Sequence, residues 1–431
     1  MLWATTFPAR IGGETMSGLS DVAASSTAER PDGRAQRRAL TAIATSQLLV
    51  LTLWFSASAV APQLEAEWAL TSGEASGLTL AVQIGFVVGA LVSAALSLAD
   101  VVAARTLFVL SASVGGLANA SLVGLGEDDV PLALALRFVT GVALAGVYPS
   151  GLKVMAGWFQ RRRGMALGVL VGALTVGSAG PHLIRGVGFD WQGVILAASG
   201  LAFAGGLILW FGVTDGPYDT PPPRFSLRQV GAVVRNPGVR LSTYGYLGHM
   251  WELYAMWTWT AAFLAASGEA GGFGDDWVPT ATFAVIAIGG GGAWLAGVLA
   301  DRRGRTVIAG GSMAISGSCA LAMPVVFGLH PTIVVPVFLI WGFTVVADSA
   351  QFSTMVTETA AETYRGTALT LQTALGFLLT LVTIRGVPVI ADAIGWRWAF
   401  PWLALGPAAG IAAMVRLKRS PAATQLAGGR G

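Results

Sequence analysis

The chain has 431 residues, of which 54% are apolar and 11% charged, and it carries a net charge of +3. A soluble domain has about a quarter of its residues charged, so this composition excludes one and sets the arginine excess against anionic lipid headgroups rather than a nucleic acid. The single cysteine, Cys319, excludes a disulfide framework and a cysteine-held metal cluster.

A membrane-crossing helix takes about 20 mostly apolar residues. Twelve such stretches follow one another, centred near residues 50, 86, 115, 142, 175, 202, 252, 290, 317, 342, 377 and 405. Residues 1–38 are polar and Arg-containing, without the charged-then-apolar leader of a secreted protein, and read as a disordered cytoplasmic tail. Six spans fill 39–213, a Pro-rich linker with GPYDTPPPR covers 214–238, six more spans fill 239–416, and 417–431 form a second cytoplasmic tail. The expected fold is an all-α membrane protein of two six-helix bundles with both termini cytoplasmic. Arg161–Arg163, Arg224, Arg228, Arg235, Arg240, Arg302, Arg303, Arg305, Arg416, Lys418 and Arg419 then share the inner side of a plasma membrane. The opposite loops carry Glu65, Glu67, Glu74, Glu127, Asp128, Asp129, Asp275 and Asp276.

Duplication is visible in three motif pairs. LSLADVVAART at 96–106 pairs with GVLADRRGRT at 297–306, RGMAL from Arg163 with RGTAL from Arg365, and IRGV from Ile184 with IRGV from Ile384. Offsets of about 200 residues place a solute site between the halves. Neither lysine, Lys153 nor Lys418, follows a glycine, so there is no nucleotide-phosphate loop. The three histidines are scattered, and neither a metal nor a cofactor is expected. Energy then comes from a gradient.

Ionised groups at the bilayer centre cost roughly 2.5 to 3.5 kcal/mol on insertion scales, so those that persist face a cavity or a partner. Five are present: Arg137, Arg185, Glu252, Asp348 and Arg385. His249, Glu252 and Trp259 share a helix face in YGYLGHMWELYAMWTW, residues 244–259. They read either as a proton-titrating pair beside an aromatic wall or as packing groups. Asp348 opens a second polar face with Gln351 and Phe352, either for proton coupling or as a fixed partner of Arg137. Arg185 and Arg385 occupy duplicated positions, where two guanidinium forks could grip one oxyanion between the halves, or else anchor to headgroups or gate the outer side.

GVLADRRGRT matches position for position the signature loop of the major facilitator superfamily, and the resemblance covers residues 39–416. It implies two pseudo-symmetric six-helix bundles that rock about a midplane site, with the first, fourth, seventh and tenth helices lining the cavity. It also implies a cytoplasmic gate in which Asp301, with Arg302, Gly304 and Arg305, docks near Gly164 at the start of the fifth helix. Asp100 is the weaker first-half counterpart. RFVTG from Arg137 resembles the superfamily's fourth-helix Arg-x-x-x-Gly signature, which links Arg137 to proton transfer. YPSGLKVMAGWFQRRRG at 148–164 resembles the anion-symporter and nitrate-type branches, although the second and eighth spans lack that branch's arginines. The drug-antiport signature is met at Gly168 and Gly177 and broken at Gly180-Pro181 and Ile184-Arg185.

The expected function is therefore a monomeric, proton-coupled carrier of a small organic anion. Its substrate is held by Arg185, Arg385, Trp54, Tyr148, His249, Trp259 and Gln351, and its proton by Glu252, Asp348 and Arg137. The alternatives are a drug/proton antiporter for amphiphilic compounds and a non-transporting sensor with the same fold.

Overall fold

The computed structural model describes residues 32–431 apart from 97, 160–162 and 219–225; the side chains of Ser72, Ala99, Asp100, Arg163, Gly164 and Leu227 also lie outside it. The described residues contain no strand. The first half is built from α1 (Gly33–Leu51), α2 (Ser72–Ala95), α3 (Ala104–Ala120), α4 (Val130–Trp158), α5 (Arg163–Gly186) and α6 (Trp191–Gly212). The second is built from α7 (Pro237–Gly271), α8 (Val278–Ala287, then Gly289–Arg303), α9 (Arg305–Val326), α10 (Pro331–Ala347, then Ser349–Thr359), α11 (Arg365–Ile394) and α12 (Leu405–Lys418).

Ten of these are long and apolar enough to cross a membrane by length and composition. The two that fall short, α1 and α7, have visible reasons. α1 carries Arg34, Arg37 and Arg38 and stops at Leu51, where Thr52–Ala57 turn before short helical pieces at Ser58–Val60 and Ala61–Glu67. α7 spends its apolar positions on Tyr, Trp, His and Glu.

The expected boundaries shift slightly. Asp32 caps α1, so residues 33–38 of the expected leading tail are helical, while 1–31 lie outside the described residues. Asn236 accepts from Val239 N–H at 3.1 Å and starts α7 before the linker's expected end.

Lipid supplies no hydrophobic drive between helices, so close approach depends on small residues. α4 packs along α2 and α3, and α6 along α1 and α3; in the second half α12 packs along α7 and α9, and α8 along α10. Side chains at Gly85 and Gly141 would run into the carbonyls of Phe138 and Val82, where α2 crosses α4. Gly292 and Gly342 stand the same way against Phe343 and Val285, where α8 crosses α10, about 200 residues later. The duplication is therefore repeated in backbone packing as well as in motifs. Pro181 sits inside α5, and Gly177 and Gly180 beside it let that helix close on Leu48 and Thr52.

The halves meet along α2 with α11 and α5 with α8. One end of the bundle holds the arginine-rich loops and the other the acidic loops.

Candidate functional site

The turn at Thr52–Ala57 frees backbone carbonyls in the membrane interior, where no bulk water can satisfy them. Arg137 does so. Its guanidinium is fully buried and donates to Leu53 O (3.1 Å), Trp54 O (2.8 Å) and Leu78 O (3.3 Å), as well as to Ser56 Oγ (3.1 Å) and Asn119 Oδ1 (2.9 Å). Asn119 in turn donates to Ile195 O and Ser199 Oγ, tying the nest to α6. The expected alternative partner, Asp348, is engaged elsewhere. Arg137 is a fastener for the broken first helix, and that break aims Trp54 and Phe55 at the second half.

Six rings meet there. Trp54 lies 5.0 Å from Phe86, 5.8 Å from Tyr254 and 5.7 Å from Phe377, and Phe55 lies 5.9 Å from Trp257. Phe86 and Phe377 are 4.5 Å apart, and Tyr254 and Phe377 5.1 Å. The first half supplies three of these rings and the second half three, so the cluster is a midplane interface. Several buried polar groups lack a hydrogen-bond partner among the described residues: the indole N–H groups of Trp54 and Trp257, and the amides of Gln47, Gln83 and Gln372. Such groups are normally paired, and an unpaired one calls for water or a ligand. The amides of Gln47, Gln83 and Gln372 were not among the residues singled out in the sequence, because a neutral polar side chain in an apolar span is a weaker signal than an ionised one.

Two buried acids flank α7, and the structure separates their roles. His249 Nδ1 lies 2.7 Å from Asp348 Oδ1, in a contact bent away from ideal hydrogen-bond angles, with both side chains nearly inaccessible. Asp348 occupies the break between the two pieces of α10. The His249 ring sits 6.0 Å from Tyr246 and 5.7 Å from Phe352. Glu252 instead accepts from Ser316 Oγ at 2.8 Å and Trp341 Nε1 at 2.7 Å. The expected His249–Glu252 pair is thus replaced by His249–Asp348, because the break of α10 brings Asp348 to the histidine side of α7, while Ser316 of α9 and Trp341, seven residues earlier on α10, reach the glutamate. Trp259 donates to Ile384 O at 2.8 Å and serves as a strut to α11. Tyr148 is half-buried on α4, within electrostatic range of Tyr246 and Tyr254.

At the Arg-rich end, Arg305 forks onto Glu358 (2.8 and 2.7 Å) and reaches Gln351 Oε1 at 3.2 Å and Asp301 at 3.4 Å. Gln351 therefore belongs to the Arg305–Glu358 network and not to the ring cluster. Asp301 is 71% exposed, Arg302 is exposed, and Gly304 adopts φ +97°, a conformation that favours glycine. Glu358 went unnoticed in the sequence, although an acid among so many inner-side arginines was a readable signal. The Asp100 and Gly164 side chains lie outside the described residues.

Arg185 and Arg385 do not share a partner. Arg185 donates to Phe189 O at 3.4 Å inside its own half, whereas Arg385 crosses to Ser76 Oγ at 3.3 Å, its guanidinium against Gly73. Arg385 thus clasps the halves at the acidic-loop end.

On the same end, burial and the charge of Asp392 push the half-buried Glu65 carboxyl above its ordinary 4.5. An acid held high binds its proton more readily in this state than in the unfolded chain, so stability is gained as pH falls and lost as pH rises through that range. Glu65→Gln is expected to raise the melting temperature at neutral pH and flatten its pH dependence. Unchanged pH dependence of melting in the variant would contradict this.

A family model described as Major Facilitator Superfamily matches residues 43–384. A chloramphenicol resistance protein of Streptomyces lividans is 29% identical over 292 residues, 62% of this chain and 68% of that one. Among solved structures, the nucleoside transporter NupG aligns with TM-score 0.66 at 12% identity, over 88% of this chain and 99% of that one. A bacterial homologue of the human lysosomal transporter Spinster, inward-facing and occupied, aligns with TM-score 0.64 at 15% identity, over 88% and 96%. With most of its length matched and two duplicated six-helix bundles meeting at a midplane site, this chain belongs to the Major Facilitator Superfamily and is a membrane transporter, not an enzyme.

Proposed function

We propose that the protein is a proton-coupled carrier of uncharged or weakly charged amphiphilic small molecules, with both termini cytoplasmic in the plasma membrane. The six-ring cluster with its unpartnered indole N–H groups, together with the unpartnered buried amides of Gln47, Gln83 and Gln372, carries this reading. Stacking surface from both halves suits an aromatic or alicyclic body, and unpaired donors and acceptors suit hydroxyl, amide or carbonyl substituents. The name of the Streptomyces relative points the same way. The organic-anion reading ranks second, because Arg185 and Arg385 have separate partners and Arg385 Nη1 donates to Ser76 across the halves. His249–Asp348 is the preferred proton carrier, since it lies beside the rings of Tyr246 and Phe352, while both oxygens of Glu252 are held by neutral donors.

Thermal unfolding of the purified protein against chloramphenicol, lipophilic cations and organic carboxylates tests this. A ligand at 100 times its dissociation constant adds about 2.7 kcal/mol to the folded state. A shift with a neutral amphiphile that is lost in Trp54→Ala or Phe377→Ala and kept in Arg385→Ala is expected. A shift with carboxylates that disappears in Arg185→Ala and Arg385→Ala would restore the anion carrier.

A further inference from the structure

The chain does not end loosely after α12. Residues Pro421–Gly428 form a run of 3-10 turns that breaks at Ala427, where φ is +47°, and folds back over the α8–α9 loop. Leu426 is fully buried. Ala427 N–H donates to Glu358 Oε2 at 3.2 Å, Arg430 Nη1 donates to Asp301 O at 2.5 Å, and Thr306 N–H donates to Gly431 O at 3.3 Å. A side chain at Gly304 would run into the backbone of Arg430 and Gly431. One short segment thus touches the end of α8, the start of α9 and the end of α10.

That surface has to move against the first half. Among the described residues, the contacts that join the halves run from the middle to the acidic-loop end: Trp54 and Phe86 with Phe377, Gly172 with Gly290, Gly186 with Thr280, and Ser76 with Arg385. α5 and α8 are antiparallel neighbours. Extending their contact past Gly172–Gly290 toward the Arg-rich end brings residues 301–305 to the start of α5. In this structure the segment 426–430 lies on that loop, and Arg305 is turned away onto Glu358, which the same segment also binds.

We propose that residues 421–430 are an autoinhibitory strap, which competes with the first half for the α8–α9 loop and so opposes closure of the Arg-rich end. The strap's bonds are available only while the loop is undocked, so they bias the two-state equilibrium toward the state clasped at the acidic-loop end.

The test is a spin-label distance between Arg38→Cys and Thr363→Cys, both exposed at the Arg-rich end, in a Cys319→Ser background. Deleting 421–431 is expected to enlarge the short-distance population severalfold relative to the full chain, and Leu426→Asp and Arg430→Ala to shift it the same way. These point variants keep the test open if the deletion misfolds. An unchanged distribution in the folded variants, or a shift to longer distances, overturns the proposal.

Discussion

Replacing Arg137 with alanine is expected to lower stability by on the order of 3 kcal/mol and to abolish transport. A buried polar group left without its donor costs about 1–3 kcal/mol, and the substitution takes away the donor to Trp54 O and one of the two donors to Leu53 O, together with those to Leu78 O, Ser56 Oγ and Asn119 Oδ1. Removing a buried cation recovers part of its own desolvation cost, which sets the net below the sum of these losses. Function suffers beyond stability, because the turn at Thr52–Ala57 loses the group that fixes it and Trp54 and Phe55 lose their aim. Arg137→Lys is expected to fall between the two. An ammonium keeps the charge but cannot reach carbonyls on two helices with a planar fork. Chemical denaturation in detergent and vesicle transport of the same variants check this. An alanine variant of wild-type stability would mean that α1 is held by its own packing.

The second large effect is expected at Asp348. Asp348→Asn keeps the size and the contact to His249 but cannot exchange a proton. Substrate binding is therefore expected to survive within a few fold while proton-driven accumulation falls about 100-fold or more, the range over which loss of a proton-transfer group acts. His249→Gln should behave alike. Glu252→Gln should differ: it disturbs a carboxylate that takes Ser316 and Trp341 donors at once, so it should cost mainly stability. Proton flux on substrate addition to vesicles, measured beside ligand-induced thermal shifts, separates the two acids. Full coupling in Asp348→Asn with loss in Glu252→Gln would reverse the assignment.

Much of the architecture was legible before any coordinates. Hydropathy is a property of each segment alone, so twelve spans could be counted, and α7 stood out as polar because of His249 and Glu252. The repeated motifs, with Asp301–Arg305 at their strongest copy, carried the family. The site was legible only as a set of candidates. A mid-span charge announces that it needs a partner but does not say which, since partners come from helices far away in sequence. Reading for charge alone also hid Asn119, Gln83, Gln372, Ser316 and Trp341, whose cost of burial is smaller but real.

The sequence by itself thus determined the span count, the duplication, the signature loop and the superfamily, because each is written in local composition or in repetition along the chain. Only the tertiary structure decided that Arg137 fastens a broken helix, that His249 faces Asp348 and not Glu252, that Gln351 binds Arg305, and that Arg385 clasps Ser76. Those outcomes depend on how each helix is rotated about its axis and where it breaks. In a bilayer, packing against neighbouring helices sets that rotation, and the apolar periodicity of a single span does not.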